Sequence, residues 1–153
     1  MKKSTFSIAQ KDPEMLNLIV QTSQKILAEW AIDCAIRVLP FFEEKYPQDP
    51  RPKRALETLQ EWIDTGKFSM KIIRKASLDS HASARDMGSD IPAKSAARAC
   101  GQAVATAHVP RHAYGSAIYA QQAIFRSTGS IEKTFEERNW QYNNLLKRSK
   151  IIC

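Results

Sequence analysis

Glycine is scarce in this sequence, with only five in 153 residues and none grouped together. A loop that cradles phosphates needs clustered glycines, because their backbone amides must approach the ligand closely. The sequence therefore excludes the common nucleotide-binding loops. Runs of alternating β-branched residues between turn signals are also missing, so no sheet is predicted.

Long hydrophobic runs are absent as well. The most apolar long segment, residues 26–39, is interrupted by Glu29, Asp33 and Arg37 and falls short of the ~20 consecutive apolar residues of a transmembrane helix. The first residues lack the continuous apolar region of a secretory signal. We therefore expect no membrane span and a cytoplasmic location.

Cysteines are few, and they lie far apart at Cys34, Cys100 and Cys153. Their spacing fits no zinc motif, and their odd number leaves one over if two pair. No glycine-flanked serine elbow and no cysteine–histidine signature is present. The residues thus predict a protein that is not an enzyme and carries no cofactor and no metal.

Apolar residues recur at spacings of three and four along most of the chain, which predicts amphipathic helices. Residues 14–39 form the longest such pattern and include Ser23 in the buried row. Pro40 cannot continue that helix unbroken, although a further turn can follow it. A stiff, proline-rich connection over residues 46–52 then leads to a second helix that Gly66 ends.

Further start signals predict four more helices. Hydroxyl and carboxylate side chains can accept bonds from the free amides of a first helical turn. The predicted helices are a third capped by Thr65 or Ser69, a fourth from Asp90 to about His108, a fifth over 111–127 and a last over 130–146.

Together these patterns predict an all-α, compact bundle of about six helices that can stack in pairs. We expect a single domain over residues 1–153, with loosely ordered ends at 1–12 and 148–153. Residues 76–123 contain fourteen alanines, so helices there can approach closely. Such faces suit an internal core or a two-fold interface, which leaves monomer and homodimer open.

The net charge of +7 is concentrated in the middle of the chain. Residues 1–64 carry nine basic and ten acidic side chains, whereas residues 65–126 carry nine basic and three acidic ones. On a helical wheel, the basic residues of the third helix fall within about 100° of one another. This set, with one leucine among it, is Lys67, Lys71, Arg74, Lys75, Leu78 and Arg85.

Such a face attracts an acidic protein or a polyanion, although a solvated cationic face is the simpler interpretation. A nucleic-acid-associated binding module is the alternative function, with Arg51, Lys53 and Arg54 as further phosphate contacts. Phe68 is the only aromatic residue near this face, so stacking on bases has little support.

Three histidines are the remaining candidates for chemistry. His108 and His112 are four residues apart, a spacing that places two metal ligands on one face of a continuous helix. Pro110 lies between them and interrupts that helix. His81 lies at the border of the basic face. Metal binding or catalysis is therefore a third hypothesis, behind hydrogen-bonding roles.

Two segments, residues 30–62 and 96–114, resemble the immunity-five-like family of bacterial polymorphic-toxin systems. The first contains Asp49-x-Arg51-Pro52 before an Ala/Leu helix, and the second is an alanine-rich helix ending in Thr106-Ala-His108-Val. The intervening His81-Ala-x-Ala-Arg85 is similar too, so the resemblance covers about residues 30–123. It implies a protein that binds and neutralises a toxin, without assigned catalytic residues.

Because this protein is basic, a toxin partner should present an acidic surface. The basic third helix, its upstream arginines and the turn between the last two histidines are the candidate contact surfaces. The predicted partner-binding residues are Arg51, Arg54, Lys67, Lys71, Arg74, Lys75, His81, Arg85, His108, Arg111 and His112.

Overall fold

A computed structural model describes residues 6–150 of the chain. The predicted all-α class is confirmed, since this part of the chain contains helices and no strand. Residues 6–150 form eight helices rather than about six: α1 (Pro13–Val20), α2 (Gln24–Ile36), α3 (Leu39–Lys45), α4 (Arg51–Thr65), α5 (Met70–Arg85), α6 (Pro92–Ala105), α7 (His112–Thr128) and α8 (Ile131–Lys150).

The prediction of one long helix over residues 14–39 is wrong, because the helical conformation is interrupted between α1 and α2. Ser23 is exposed rather than buried, and its hydroxyl accepts a bond from the Ile26 amide at 3.4 Å. A serine that satisfies a first-turn amide in this way favours a new helix start over a continuous helix. The further turn expected after Pro40 is the separate helix α3.

Most other helix boundaries follow the predicted signals, but α6 ends at Ala105 rather than near His108 and α8 continues to Lys150 rather than ending at residue 146. Gly66 ends α4 in the left-handed conformation with φ of 68°, and Ser69 caps α5 through the Ile72 amide at 3.3 Å. Asp90 was expected to cap α6, but Ile91 holds that position without a side-chain bond. The Asp90 carboxylate instead lies 3.5 Å from Arg126, since an ion pair to a neighbouring helix competes with capping.

Helix α6 is the centre of the alanine-rich half of the protein and packs against α2, α3, α4, α5 and α7. Small residues allow this crowding, because they let backbones approach closely. The Ser80 hydroxyl of α5 donates to the Ala97 carbonyl at 2.8 Å, and the Ser77 hydroxyl donates to the Gly101 carbonyl at 2.9 Å. The alanines therefore lie in a core within one chain.

A second part of the core consists of larger side chains and surrounds Trp30. Trp30 is fully buried, as are Phe42 and Leu59. Its indole nitrogen donates to the Gln141 carbonyl of α8 at 2.8 Å. The side chain of Gln141 is also buried and reaches α7, where it donates to the Ala117 carbonyl at 3.0 Å. One buried polar residue thus links α2, α7 and α8.

Ion pairs fasten α8 to the first half of the chain. Arg37, directly after α2, binds Glu137 through two bonds of 2.8 and 2.9 Å, and its guanidinium lies 3.7 Å over the Trp140 ring. Asp12 and Arg148, which lie in the two ends expected to be loosely ordered, each form an ion pair with other residues. Within residues 6–150 no helix has the length and apolar character needed to cross a membrane.

The buried glutamine pair gives the first testable prediction. Gln121 donates to the Gln141 side-chain carbonyl at 2.8 Å, so Gln141→Met leaves a buried amide without a partner and should cost about 1–3 kcal/mol. Replacing both residues by methionine removes donor and acceptor together. The double variant should therefore lose less stability than the sum of the single variants in urea unfolding.

Gln60→Met is the matched control, because Gln60 is exposed on α4 and should change stability by no more than about 0.5 kcal/mol. Additive losses from the two buried glutamines would show that they do not interact.

Candidate partner-binding site

The three histidines meet at one surface cavity of about 220 Å³ between α5 and the α6–α7 turn. His81 comes from α5, His108 from the turn and His112 from the start of α7. We call this cavity, with the side chains that form its mouth, the histidine cavity. Its lining is Met70, Ile73, Arg74, Ser77, Leu78, His81, Gln102, Ala105, His108 and His112.

The position of His81 depends on two residues of α6. The Arg98 guanidinium lies 2.9 Å from His81 Nδ1 and can only donate, so Nδ1 accepts and the proton of the neutral ring is on Nε2. A Cβ atom on Gly101 would lie 2.7 Å from Nε2. The imidazole therefore rests on the bare backbone of α6, which only glycine permits at this distance.

His112 is held in a similar way. The Gln102 carbonyl accepts from His112 Nδ1 at 2.8 Å with the side-chain amide in its assigned orientation. Gln102 in turn lies against Gly115 of α7, where an added Cβ would be 2.7 Å from its oxygen. A glycine that lies against a polar side chain thus helps to position each of the two inner histidines, His81 and His112.

His108 is exposed, and its ring stacks on Phe68 with 6.3 Å between centroids and 18° between planes. Phe68 is 49% exposed and lies beside the cavity through its contact with His108. The aromatic residue that the sequence placed near the basic face is therefore covered on one side by an imidazole.

Burial keeps the inner histidines neutral. Burial lowers the pKa of His81 to about 4, helped by the positive charges of Arg98 and Arg85. Burial also lowers the pKa of His112, and the charge of His108 acts in the same direction. Although the histidines share a cavity, no group of three or more His, Cys, Asp or Glu residues in the described part of the chain could hold a metal ion.

The basic side chains differ in what surrounds them. Arg74 lines the cavity, and Lys67, Lys71 and Arg85 are exposed on or beside α5. Lys75 is also exposed but pairs with Asp79 in the next turn. One cation of the basic face thus lines the cavity, three more are exposed on or beside the same helix, and the charge of Lys75 is partly neutralised by Asp79.

The remaining predicted contact residues lie outside the cavity. Arg54 is exposed on α4 and Arg111 precedes α7. Arg51 is engaged by Asp49 and Asp86 at 2.7 and 2.8 Å, which holds the pKa of the Asp49 carboxyl below its usual value. Arg51 thus fastens the start of α4 to the end of α5.

The start of α5 leaves the apolar side chains of Met70 and Ile72 exposed. Ile72 is 59% exposed, whereas its neighbour Ile73 is 4% exposed. The bond from Ser77 to the Gly101 carbonyl fixes the alignment of α5 with α6, and α6 ends at Ala105. The first turn of α5 therefore lies beside the end of α6, which leaves its outer side uncovered.

Apolar side chains are consequently exposed around the cavity, a feature that the sequence analysis missed. Met70 and Leu78 line the cavity while remaining 41% and 51% exposed, and Phe68 flanks it. The one sequence signal was Leu78, which shares the wheel position of the basic residues. The site is therefore an apolar surface with a basic rim rather than a purely cationic face.

Two other surface cavities have charged groups that already pair with one another. In the cavity of about 640 Å³ near the N-terminal segment, Arg138 binds Asp12 and Glu14. In the cavity of about 460 Å³ between α2, α4 and α8, Arg148 binds Glu29 and Asp33. These carboxylates occupy the arginines, which makes both cavities weaker candidates for binding a charged partner.

The described cysteines are unsuited to chemistry. Cys34 and Cys100 are completely buried, and burial raises the pKa of both thiols. A buried, protonated thiol is a poor nucleophile and a poor metal ligand. Cys153 lies outside the described residues.

Replacing Gly101 by alanine should displace His81. The new Cβ would meet the ring at 2.7–2.9 Å, so the imidazole must move toward solvent and its pKa should rise from about 4 toward 6.5. Alanine is better than glycine in a helix by about 1 kcal/mol, which offsets part of the steric cost. NMR titration of the ring measures the shift.

Gly88→Ala is the control, because no heavy atom lies within 4 Å of its added Cβ. A His81 pKa that stays near 4 in the Gly101 variant would contradict the contact.

The lowered pKa of His81 also predicts how stability depends on pH. Between its native pKa of about 4 and its ordinary value of 6.5, the unfolded chain binds more protons than the native one. The contribution of His81 to the free energy of unfolding is therefore fully present above pH 6.5, and it should decrease as the pH falls toward 4. His81→Gln should flatten this part of the profile in urea unfolding, and the slope that remains should come from His112, whose pKa burial lowers as well.

Asp12 and Asp49 do not obscure this test. Arginine partners lower the pKa of both carboxyls from 3.8, so their stabilising contribution is lost only as the pH falls below that value. An unchanged slope between pH 6.5 and 4 in His81→Gln would show that another group controls it.

Comparison with known proteins places these features in a family. No curated protein matches the chain, and no solved structure matches it either. The family model described as Imm-5 like putative immunity protein matches residues 17–148. That span includes all of α2–α7, and hence the histidine cavity, together with α8 up to Arg148. It confirms the resemblance found in residues 30–123, and the chain belongs to the Imm-5 like family.

Proposed function

We propose that this protein binds and neutralises a cognate bacterial toxin in the cytoplasm, and that it does so by covering the toxin rather than by catalysis. Membership of the immunity family supports a toxin as partner. The observation that carries the proposal is the combination of exposed apolar side chains with a basic rim at the histidine cavity.

Protein interfaces combine an apolar centre with a polar rim, and grouped exposed apolar residues mark interaction sites. Phe68, Met70 and Leu78 are joined into one surface, because the first stacks on His108 and the other two share a cavity with it. Their burial against a partner would supply the hydrophobic free energy of binding.

The positive charge of this surface favours an acidic partner. The surplus of six basic side chains in residues 65–126 would speed encounter with an acidic toxin surface and disfavour basic partners. The basic surface would therefore not bind the active site of a nuclease toxin if that active site is cationic. The proposal is accordingly directed at a toxin, or a part of one, that presents acidic residues.

A nucleic-acid-associated module remains the second candidate, on the strength of the exposed Lys71, Arg74 and Arg85. Two contacts weaken it. Lys75 is paired with Asp79, and one face of Phe68 already stacks on an imidazole, so one cation fewer and one ring face fewer are offered to a nucleic acid. The enzymatic or metal-binding hypothesis is weaker still, since Arg98 and Gln102 already occupy Nδ1 of two histidines.

Co-expression with the toxin encoded beside this gene tests the function. The unchanged protein should restore growth and form a complex with that toxin. The double variant Lys71→Glu/Arg74→Glu should lower the association rate ~10- to 100-fold, because reversed charges repel the acidic partner. The growth of co-expressing cells and stopped-flow association are the two measurements.

Lys133→Glu/Lys147→Glu is the matched control, because both lysines are exposed on α8 and the net charge changes equally. Equal effects of the two pairs would mean that only net charge matters. If no neighbouring toxin is bound or neutralised, the proposed function is wrong.

Fluorescence anisotropy with duplex and single-stranded DNA and RNA separates the two candidates. We expect no binding at low salt. Binding that weakens steeply with added salt would instead favour the nucleic-acid module.

A further inference from the structure

We propose that the histidine cavity receives the carboxylate side chain of an aspartate or glutamate from the partner protein, and that this carboxylate anchors recognition. The inference rests on the proposed function and specifies the chemistry by which the site selects its partner. It starts from the kind of groups that line the cavity.

Every ionisable side chain that lines the cavity is a base. Arg74, His81, His108 and His112 contribute to its wall, and no carboxylate of the described residues does so. The other two cavities each contain carboxylates that bind their arginines. The histidine cavity is thus left with a positive potential and hydrogen-bond donors that face no acid.

His81 is built as a fixed donor. Its Nδ1 accepts from Arg98, so protonation at that atom would place two N–H groups against each other. The ring therefore stays neutral and keeps its proton on Nε2. A carboxylate oxygen is a suitable acceptor for this proton, and the bond would be strengthened by the acceptor's charge.

His112 is built differently and can gain a proton. Its Nδ1 donates to Gln102, and this bond survives when Nε2 is protonated, because an imidazolium donates from both nitrogens. An incoming carboxylate would stabilise that imidazolium. Recognition should thus use a neutral donor at His81 and a proton taken from solvent at His112.

The walls favour a protein side chain over a nucleic-acid phosphate. Met70, Ile73 and Leu78 form an apolar side of the cavity, which suits the methylene stem of an acidic side chain. The exposed Phe68 nearby can contact an apolar neighbour in the same segment. Charged rim and apolar anchors together match an acidic, amphipathic protein segment.

The uptake of a proton by His112 on binding determines how the affinity for the carboxylate changes with pH. Free His112 has a lowered pKa owing to burial and to the charge of His108. Arg74 and His81 are the other bases that line the cavity, and the charges of Arg98 and Arg85 act on His81. A bound carboxylate raises that pKa. Affinity should therefore increase as the pH falls between the bound and free values, by up to about tenfold per pH unit for one proton.

The three histidines of this chain are its only ones, and all of them line the cavity. Ring NMR of histidine-labelled protein therefore reports on this site alone. N-acetylglutamate amide is the probe, and the isosteric N-acetylglutamine amide is its neutral control. We expect only the acidic probe to shift the His81 and His112 signals and to raise the pKa of His112.

Equal shifts with both probes, or none up to the solubility limit, would overturn the carboxylate assignment. Inorganic phosphate serves as a second probe. A larger response to phosphate than to the acidic amide would assign the cavity to a phosphate ligand instead and would likewise contradict the proposal.

Variants test the same assignment in the toxin complex. His112→Gln should bind the toxin ~10-fold more weakly at mildly acidic pH and should lose the increase of affinity on acidification. His108→Gln should keep that increase. Lys133→Gln on α8 is the control outside the site, and circular dichroism checks that each variant is folded.

The outcomes separate the two proposals. A toxin bound tightly with no change in the His81 and His112 signals would overturn the carboxylate anchor and leave the immunity function intact. A response to the acidic probe without any toxin binding would support the cavity chemistry and contradict the function.

Discussion

The structure depends on how closely the helices of its middle segment approach one another. Gly101 and Gly115 leave no room for a single added carbon, since a Cβ at either would lie 2.7 Å from a side chain of the neighbouring helix. The hydroxyls of Ser77 and Ser80 reach across to carbonyls of α6. Such spacing needs small residues, and the alanine-rich composition supplies them.

This close approach also makes the candidate site. Because α5 lies directly on α6, the imidazole of His81 rests on the backbone at Gly101 and within reach of Arg98. Because α7 lies equally close, Gln102 fits against Gly115 and holds His112. The packing that stabilises the fold is thus the same packing that orients the two inner histidines.

The basic side chains near α8 and those on α5 differ in their surroundings. Around α8, arginines such as Arg37 and Arg138 are held by carboxylates and aromatic rings, so their charge stabilises tertiary contacts. At α5, Arg74 lines a cavity whose lining contains no carboxylate, and Lys71 and Arg85 are exposed on the same helix. These positive charges are therefore available to a partner.

The sequence predicted what depends on local chemistry. The helical class, the glycine that ends α4 and the serine that caps α5 all follow from periodicity and from bonds within a few residues. The break at Ser23 was missed, because a serine in an apolar row can either continue a helix or start one, and the two outcomes differ little in free energy.

The site was only partly predictable for a related reason. Periodicity identified a basic face and sequence proximity drew attention to His108 and His112. The contact of His81 with Gly101 joins residues twenty positions apart, and the exposure of Ile72 depends on where α6 ends. Both are consequences of helix alignment, which no local pattern contains.

Hydrogen exchange of the chain alone and in complex with the toxin encoded beside its gene tests the central claim most directly. The account predicts added protection in the first turns of α5 and in the turn over residues 106–112, with α1 and α8 unchanged. Protection confined to the surface of α1, α2 and α8 would contradict it, because the toxin would then bind away from the histidine cavity.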